Sequence, residues 1–356
     1  MTDALPPEPS KSKQSSLTRI LRKSAAIALA ATLIFLLADA ADWRRVAEQV
    51  RHANISLLLF SWLVLGSVAG LLRAARWYTL LSDEQRLSFW PVFWANASGN
   101  FGNSVLPARA GEFIRIAMVS AKSGLSKRFV LAVAVCERLL DMLVLITLTR
   151  IGISHVPGIP LPMQRAIGIT FWGAVGAVTI LVLAAQSHRI ANFTASHGMR
   201  WSTTGGRIWS RLQPFIEGVR VIRSRRRLLL FLALTIPIWL VDAWTATLVA
   251  TSLGIDLPLP VALVLLAALS CSSVLPTTPG QLGVFQFLTI RVLAIAQIGY
   301  DQALTYGLVL QASTYIVLAI WGIPGLWMYK RSRSLRSGSV LDAAAATNNT
   351  HPFISH

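Results

Sequence analysis

The sequence predicts an all-α, multi-pass membrane protein, and three observations carry that prediction. Of its 356 residues 54% are hydrophobic and only 13% charged, with a mean hydropathy of +0.58, too apolar for a soluble domain of this length. The apolar residues gather into stretches long enough to cross about 30 Å of hydrocarbon at about 1.5 Å per residue. The ionisable residues are lopsided, 33 Lys and Arg against 15 Asp and Glu, for a formal net charge of +18. Together these disfavour a soluble enzyme and a disordered regulator. In so apolar a chain the basic excess reads as positive-inside retention and attraction to anionic headgroups. Membrane lipids are therefore the expected partner, and nucleic acid is not. Cys136 and Cys271 both fall in apolar stretches, without a disulfide framework or metal-ligand spacing.

Residues 1–19 are polar, with Pro6, Pro7 and Pro9, and read as a disordered cytoplasmic tail. A membrane domain follows over 20–330, then a second cytoplasmic tail over 331–356. The first apolar stretch, 25–38, follows a basic flank and ends in Ala38-Asp39-Ala40. A cleaved signal peptide also fits that pattern, but the charge map agrees with a retained helix. Further spans are expected at about 55–72, 129–149, 166–185, 228–253 and 303–328, about six in all. Two more apolar segments, 89–106 and 261–275, run into Pro/Gly clusters. They read as the first limbs of broken or re-entrant hairpins, which survive in a membrane only where protein or a water-filled cavity satisfies the backbone.

With the N-terminus inside, 26 basic residues fall on inner segments, six on outer ones, and Arg138 within a span. This split predicts a multi-pass protein of the cell (inner) membrane with both termini cytoplasmic. The inner segment 187–227 repeats Ile208, Leu212, Phe215, Ile216, Val219 and Ile222 at helical spacing among arginines, interrupted by Pro214. An amphipathic helix on the inner leaflet is expected; a solvated connector is the alternative.

Ser104-Val105-Leu106-Pro107 recurs as Ser273-Val274-Leu275-Pro276, with Gly111 answered by Gly280, at an offset of 169. The same offset carries the span at 55–72 onto 224–241 and that at 129–149 onto 298–318. Each half, about 55–150 and about 224–320, thus reads span, broken hairpin, span. The first hairpin enters from the cytoplasm and the second from outside. That is an inverted-topology repeat, an architecture in which substrate sites lie between the halves.

Charged residues at membrane depth are costly and must face protein or water. Glu137, Arg138 and Asp141 lie mid-span. Glu137 and Asp141 share a helix face, and Arg138 reaches Asp141 at i,i+3. They form either a bracing ion network or a polar wall along a headgroup path. Arg109, Glu112 and Arg115 follow Pro107, where a guanidinium fork and free helix N–H groups suit a phosphate, unless the arginines only anchor topology. Asn96, Asn100 and Asn103 line one face of the first limb, as a headgroup path or as interhelical glue. Asp242 has no charged neighbour in its own helix, and Arg138, the basic residue expected at membrane depth, is its expected partner. No phosphate-cradling loop, zinc-protease motif or nucleophile elbow occurs. Neither cofactor nor metal is expected.

Leu106-Pro107-Ala108-Arg109-Ala110-Gly111-Glu112-Phe113-Ile114-Arg115 resembles the L-P-x-R-x-G-E-x-x-R signature of the lysylphosphatidylglycerol synthase transmembrane region, a flippase-like integral membrane family. Glu137-Arg138-Leu139-Leu140-Asp141 is similar to its E-R-x-x-D. The run from Pro276 to Phe285, with Pro279, Gly280 and Gly283, is similar to its P-x-x-P-G-x-x-G segment. The resemblance covers roughly residues 20–330. It implies movement of a lipid across the bilayer, which in two-domain members is an aminoacylated phospholipid made by a soluble synthase domain. Only 26 residues follow Lys330, so neither that domain nor aminoacyl transfer is expected. Stand-alone members occur beside pathways for glycolipids, polyprenyl lipids and hopanoids. The family often has Glu where this chain has Gln286, which puts a protonatable role there in doubt. The expected function is ATP-independent lipid translocation. An accessory subunit serving a lipid-biosynthetic enzyme is the alternative. A lipid-phosphate enzyme using Glu137 or Glu112 as base is disfavoured by the low acid content.

Overall fold

Among the described residues every regular element is a helix. The computed structural model describes residues 39, 41–81, 87–106, 110–154, 159–186, 218, 224–273 and 281–348, with the backbone alone at 181, 184–186 and 332–348. The expected first span at 25–38, the tail 1–19 and most of the loop 187–227 lie outside them.

Helix α1, Trp43–Arg51, starts where the Asp42 carboxylate accepts from the Arg44 and Arg45 N–H groups. Helix α2 occupies Ile55–Leu81 and is capped by Asn54, whose side chain accepts from the Leu57 N–H. A π-helical turn, Phe60–Leu65, interrupts it, a distortion that recurs at functional sites. Helices α3, Phe89–Val105, and α4, Gly111–Ser123, form a short hairpin. Gly124 then stops α4 with a φ of 75°. Helix α5, Lys127–Ile153, is capped by Ser126, and α6 is Leu161–Gln186. The second half repeats the order: α7, Arg225–Ser252; α8, Leu259–Ser272; α9, Val284–Leu293; and α10, Tyr300–Asn348.

Helices α2, α7 and the Tyr300–Arg331 part of α10 are long and apolar enough to cross a membrane. Helices α5 and α6, of 27 and 26 residues, reach about 40 Å, also long enough. Ile169, Trp172 and Ile180 of α6 are largely exposed, as residues facing lipid would be. The hairpin helices, of 17 and 13 residues in the first half and 14 and 10 in the second, are shorter than a full crossing requires. The span expected at 55–72 runs on to Leu81, which moves Arg73 and Arg76 out of the expected cytoplasmic loop and into a helix. Without them and Arg115 the basic split is still 23 against six. Helix α10 continues past the expected span end, so the tail beginning at 331 is helical to Asn348.

At the offset of 169, α2 falls on α7, α3 on α8, α4 on α9 and α5 on the start of α10. The α2 and α7 copies run antiparallel. The Asn54 N–H donates to the Ser252 carbonyl at 2.8 Å at one end, and Arg76 reaches Thr235 towards the other. Packing is exchanged between halves: α3 lies on α10, and α8 lies on α5. Equivalent elements thus run oppositely and clasp each other. One apolar core lies among α7, α8, α9 and α10, around Leu265, Leu293 and Tyr306. Another joins α2, α4 and α5 around Trp77, Leu80 and Val130.

Candidate functional site: an ion network beside a central cavity

Helix α5 presents Glu137 and Asp141 on one face because residues four apart are one turn apart. Helix α2 brings Arg76 and Trp77 to that face, and α4 brings Arg115. The Arg76 guanidinium donates to Asp141 at 2.6 Å, to Glu137 at 2.7 Å and to Thr235 at 3.1 Å. Arg115 donates to Glu137 at 2.9 Å and Asn96 at 3.2 Å, pairs with Glu112 at 2.7 Å and stacks 3.9 Å over the Trp77 ring. The indoles of Trp77 and Trp239 donate to Glu137 at 2.5 Å and Asp141 at 3.0 Å. Arg76, Arg115 and Glu137 are each only 2% exposed. Such a forked, multiply bonded arrangement is what lets charges persist away from water.

Arg138, one residue round the helix, faces elsewhere. It donates to Glu112 at 2.5 Å, and Glu112 is held from the other side by Asn103, whose amide donates to its carboxylate at 3.3 Å and accepts from its N–H at 3.1 Å. The expected Arg138–Asp141 pair does not form, because Arg76 takes Asp141. Nor does Asp242 pair with Arg138: its partner is Arg73. These four arginines and four carboxylates balance in charge. The arginines missed by sequence reasoning, Arg73 and Arg76, carried a signal. The apolar periodicity of α2 continues past them to Trp77, Leu80 and Leu81, and Arg73 plus 169 is Asp242.

Against the network, where the two halves meet, lies a cavity of about 430 Å³. Its walls come from α2, α3, α7, α8 and α10, with Arg138 from α5 and Phe285 from α9. Asn100, Asn103, Arg138 and Asp242 line it, whereas Glu112, Arg115, Glu137 and Asp141 stand behind the wall. Ser104 and its counterpart Ser273 both line it, as do Arg73 and its counterpart Asp242, so the cavity sits on the axis relating the halves. Pro107, Arg109, Pro276, Pro279 and Gly280 lie outside the described residues.

The signature glycines have steric reasons. A Cβ on Gly111 would strike the backbone of Gly99, Gly102 and Asn103, so α3 and α4 close only around a glycine. Gly283 has a φ of 83°, in the left-handed region. Its N–H donates to the Gln286 side chain at 2.9 Å, and the Gln286 amide donates to Gln311 at 2.6 Å. Gln286 is thus a buried cap and cross-link. Among the described residues no three His, Cys, Asp or Glu side chains are grouped to hold a metal ion.

Helical spans, clasped halves and a polar cavity between them define a polytopic helical membrane protein with a central site. Residues 24–322 match the family described as lysylphosphatidylglycerol synthase TM region, and the chain belongs to that family. It is similar to UPF0104 membrane protein MJ1078 of Methanocaldococcus jannaschii, 22% identical over 234 residues, which are 65% of this chain and 95% of that protein. It is also similar to glycosyltransferase AglD of Haloferax volcanii, 24% identical over 254 residues, 62% of this chain and 40% of that one. The likeness thus spans less than half of AglD. No solved structure matches.

Proposed function

We propose that this protein carries a lipid between the leaflets of the cell (inner) membrane without ATP, both termini lying in the cytoplasm. The observation that carries the reading is the cavity, built from equivalent residues of two oppositely directed halves. A site on such an axis can be reached from either face when one half rocks against the other. The headgroup would occupy the polar cavity while its chains stay in lipid. Family membership supports the membrane setting, and candidate lipids are phospholipids, glycolipids and polyprenyl or hopanoid lipids. A second reading, an accessory subunit beside a lipid-biosynthetic enzyme, is favoured by the similarity to part of a protein named a glycosyltransferase.

The test uses proteoliposomes with fluorescent lipids of these classes, and chemical quenching of the outer leaflet. Protein should raise the quenchable fraction of at least one lipid above half within minutes. Gly70 lines the cavity, and a Cβ there meets nothing within 4 Å, so Gly70→Trp should fold and fill the space. Transport lost in Gly70→Trp supports the cavity as the path. Wild-type transport by that variant overturns the path, and no flipping of any lipid leaves the accessory reading.

A further inference from the structure

The cavity wall has a hydrogen-bonding sense that selects among headgroups. Six Ser and Thr side chains line it: Ser61, Ser104, Thr245, Ser273, Ser313 and Thr314. Each hydroxyl is bonded to a carbonyl three or four residues back in its own helix, at 2.8 Å for Ser61, 3.2 Å for Ser104, 2.7 Å for Thr245, 2.6 Å for Ser273 and 2.9 Å for Thr314; for Ser313 the acceptor is the Val309 carbonyl. A carbonyl only accepts, so each hydroxyl spends its one proton there and keeps its lone pairs, which face the cavity most openly at the residues other than Ser61 and Ser313, the most deeply buried of the six. The wall is therefore rich in acceptors.

Its cations are already committed. Arg73 is paired with Asp242 and Arg138 with Glu112, so the described lining offers no net positive charge. Lining groups open among the described residues include the amides of Asn100 and Gln281, which make no side-chain hydrogen bond, and the Trp62 indole N–H, which is buried without a partner. Asn100 both donates and accepts. Phe93 and Trp321, edge to face at 5.6 Å, add apolar ring surface to the lining.

A phosphodiester has no proton to give the hydroxyl oxygens, and its charge meets a described lining with no net positive charge to neutralise it. An ammonium donates, but the carboxylates near it are already paired with guanidinium groups, so its charge is not neutralised either. A hydroxyl does both, giving its proton to a Ser or Thr oxygen and accepting from Asn100 or Trp62. The aromatic surface suits the C–H face of a sugar ring, and a volume of about 430 Å³ is within the usual range for small-molecule sites.

We infer that the cavity binds an uncharged, hydroxyl-rich lipid headgroup of the sugar or polyol class. This rests on the reading of the cavity as the lipid path. It narrows the candidates to glycolipids and polyol lipids.

The test measures binding to the full chain in phosphatidylcholine nanodiscs, with radiolabelled dioctanoyl galactosylglycerol as probe. Phosphatidic acid and phosphatidylethanolamine of the same chain length compete. Galactosylglycerol should bind more tightly than either competitor by on the order of tenfold. Asn100→Ala, which removes no side-chain hydrogen bond within the protein, should weaken it about fivefold. Phosphatidic acid binding as tightly or better overturns the inference. Tighter phosphatidylethanolamine, no saturable binding of galactosylglycerol, or an unaffected Asn100→Ala overturns it too. Flipping in the proteoliposome assay separates the two readings. Galactosylglycerol bound but never flipped keeps the headgroup assignment and sinks translocation. Phosphatidic acid flipped while galactosylglycerol goes unbound does the reverse.

Discussion

Arg73 and Asp242 occupy equivalent positions in the two halves, on antiparallel helices, and they meet. If the ion pair is a fastener across the axis, exchanging its two residues should restore it, since each position resembles the other. Their side chains are 28% and 17% exposed, so the pair lies between a surface bridge and a buried one. Removing one partner of a fully buried pair costs about 3–5 kcal/mol, and exposed pairs are worth about 0–1 kcal/mol. About 2 kcal/mol is expected for Arg73→Ala, roughly a 30-fold fall in the folded-to-unfolded ratio. Asp242→Ala should cost less, because the freed arginine can extend its long stem towards water while the short Asp242 cannot. The doubly exchanged protein, Arg73→Asp with Asp242→Arg, should recover most of the loss. The assay is unfolding of the purified protein in a denaturing-detergent titration, for wild type, the two alanine variants, the single reversals Arg73→Asp and Asp242→Arg, and the exchange. Costs in the exchange that equal the sum of the two single reversals, with coupling under about 0.5 kcal/mol, would refute the fastener.

The helices were legible in the sequence because apolar length and punctuation are local properties. Pro/Gly clusters marked both hairpins, and Ser126 and Ser224 cap α5 and α7 just before the spans expected there. The repeat was legible from four residues, Ser104 to Pro107, and their copy. The partners within the site were not, because pairing at membrane depth is decided by which helices touch. Arg138 looked like the natural partner of both Asp141 and Asp242 only while Arg73 and Arg76 were assigned to a loop. Charge counting made that assignment: it treats any arginine beyond an apolar run as a flank, whereas α2 crosses and then delivers two arginines to buried carboxylates. Glu112 and Arg115 show the opposite case. Their i,i+3 spacing permits the pair they form at 2.7 Å, but nothing in it says that Glu137 and Trp77 would close over the arginine.

Three further consequences concern topology, the signature arginine and the first hairpin, and a fourth concerns the second. Cysteines at Gly205 and Asp256, in a background lacking Cys136 and Cys271, should label from opposite sides of intact cells; labelling of 205 from outside would invert the proposed orientation. Arg109→Lys should insert normally yet transport poorly if its planar fork contacts substrate, while Lys122→Ala, exposed in the last turn of α4, should be neutral. Equal behaviour of the two variants would make Arg109 a topology anchor. Gly111→Ala should cost about 1–3 kcal/mol or abolish folding, since its Cβ meets backbone that cannot rotate away, and an unchanged unfolding midpoint would show that α3 and α4 stand further apart. In the second hairpin, Gln286→Leu keeps the volume but removes the acceptor of the Gly283 N–H at the start of α9 and the amide that donates to Gln311. A stranded Gly283 N–H alone costs about 1–3 kcal/mol. Gln286→Glu still accepts from Gly283 and, protonated, can donate to Gln311, but ionised it cannot, so it should destabilise less than Leu at low pH and progressively more as pH rises. If the Glu variant is instead as stable as wild type at every pH, the Gln286–Gln311 bond is not what ties α9 to α10.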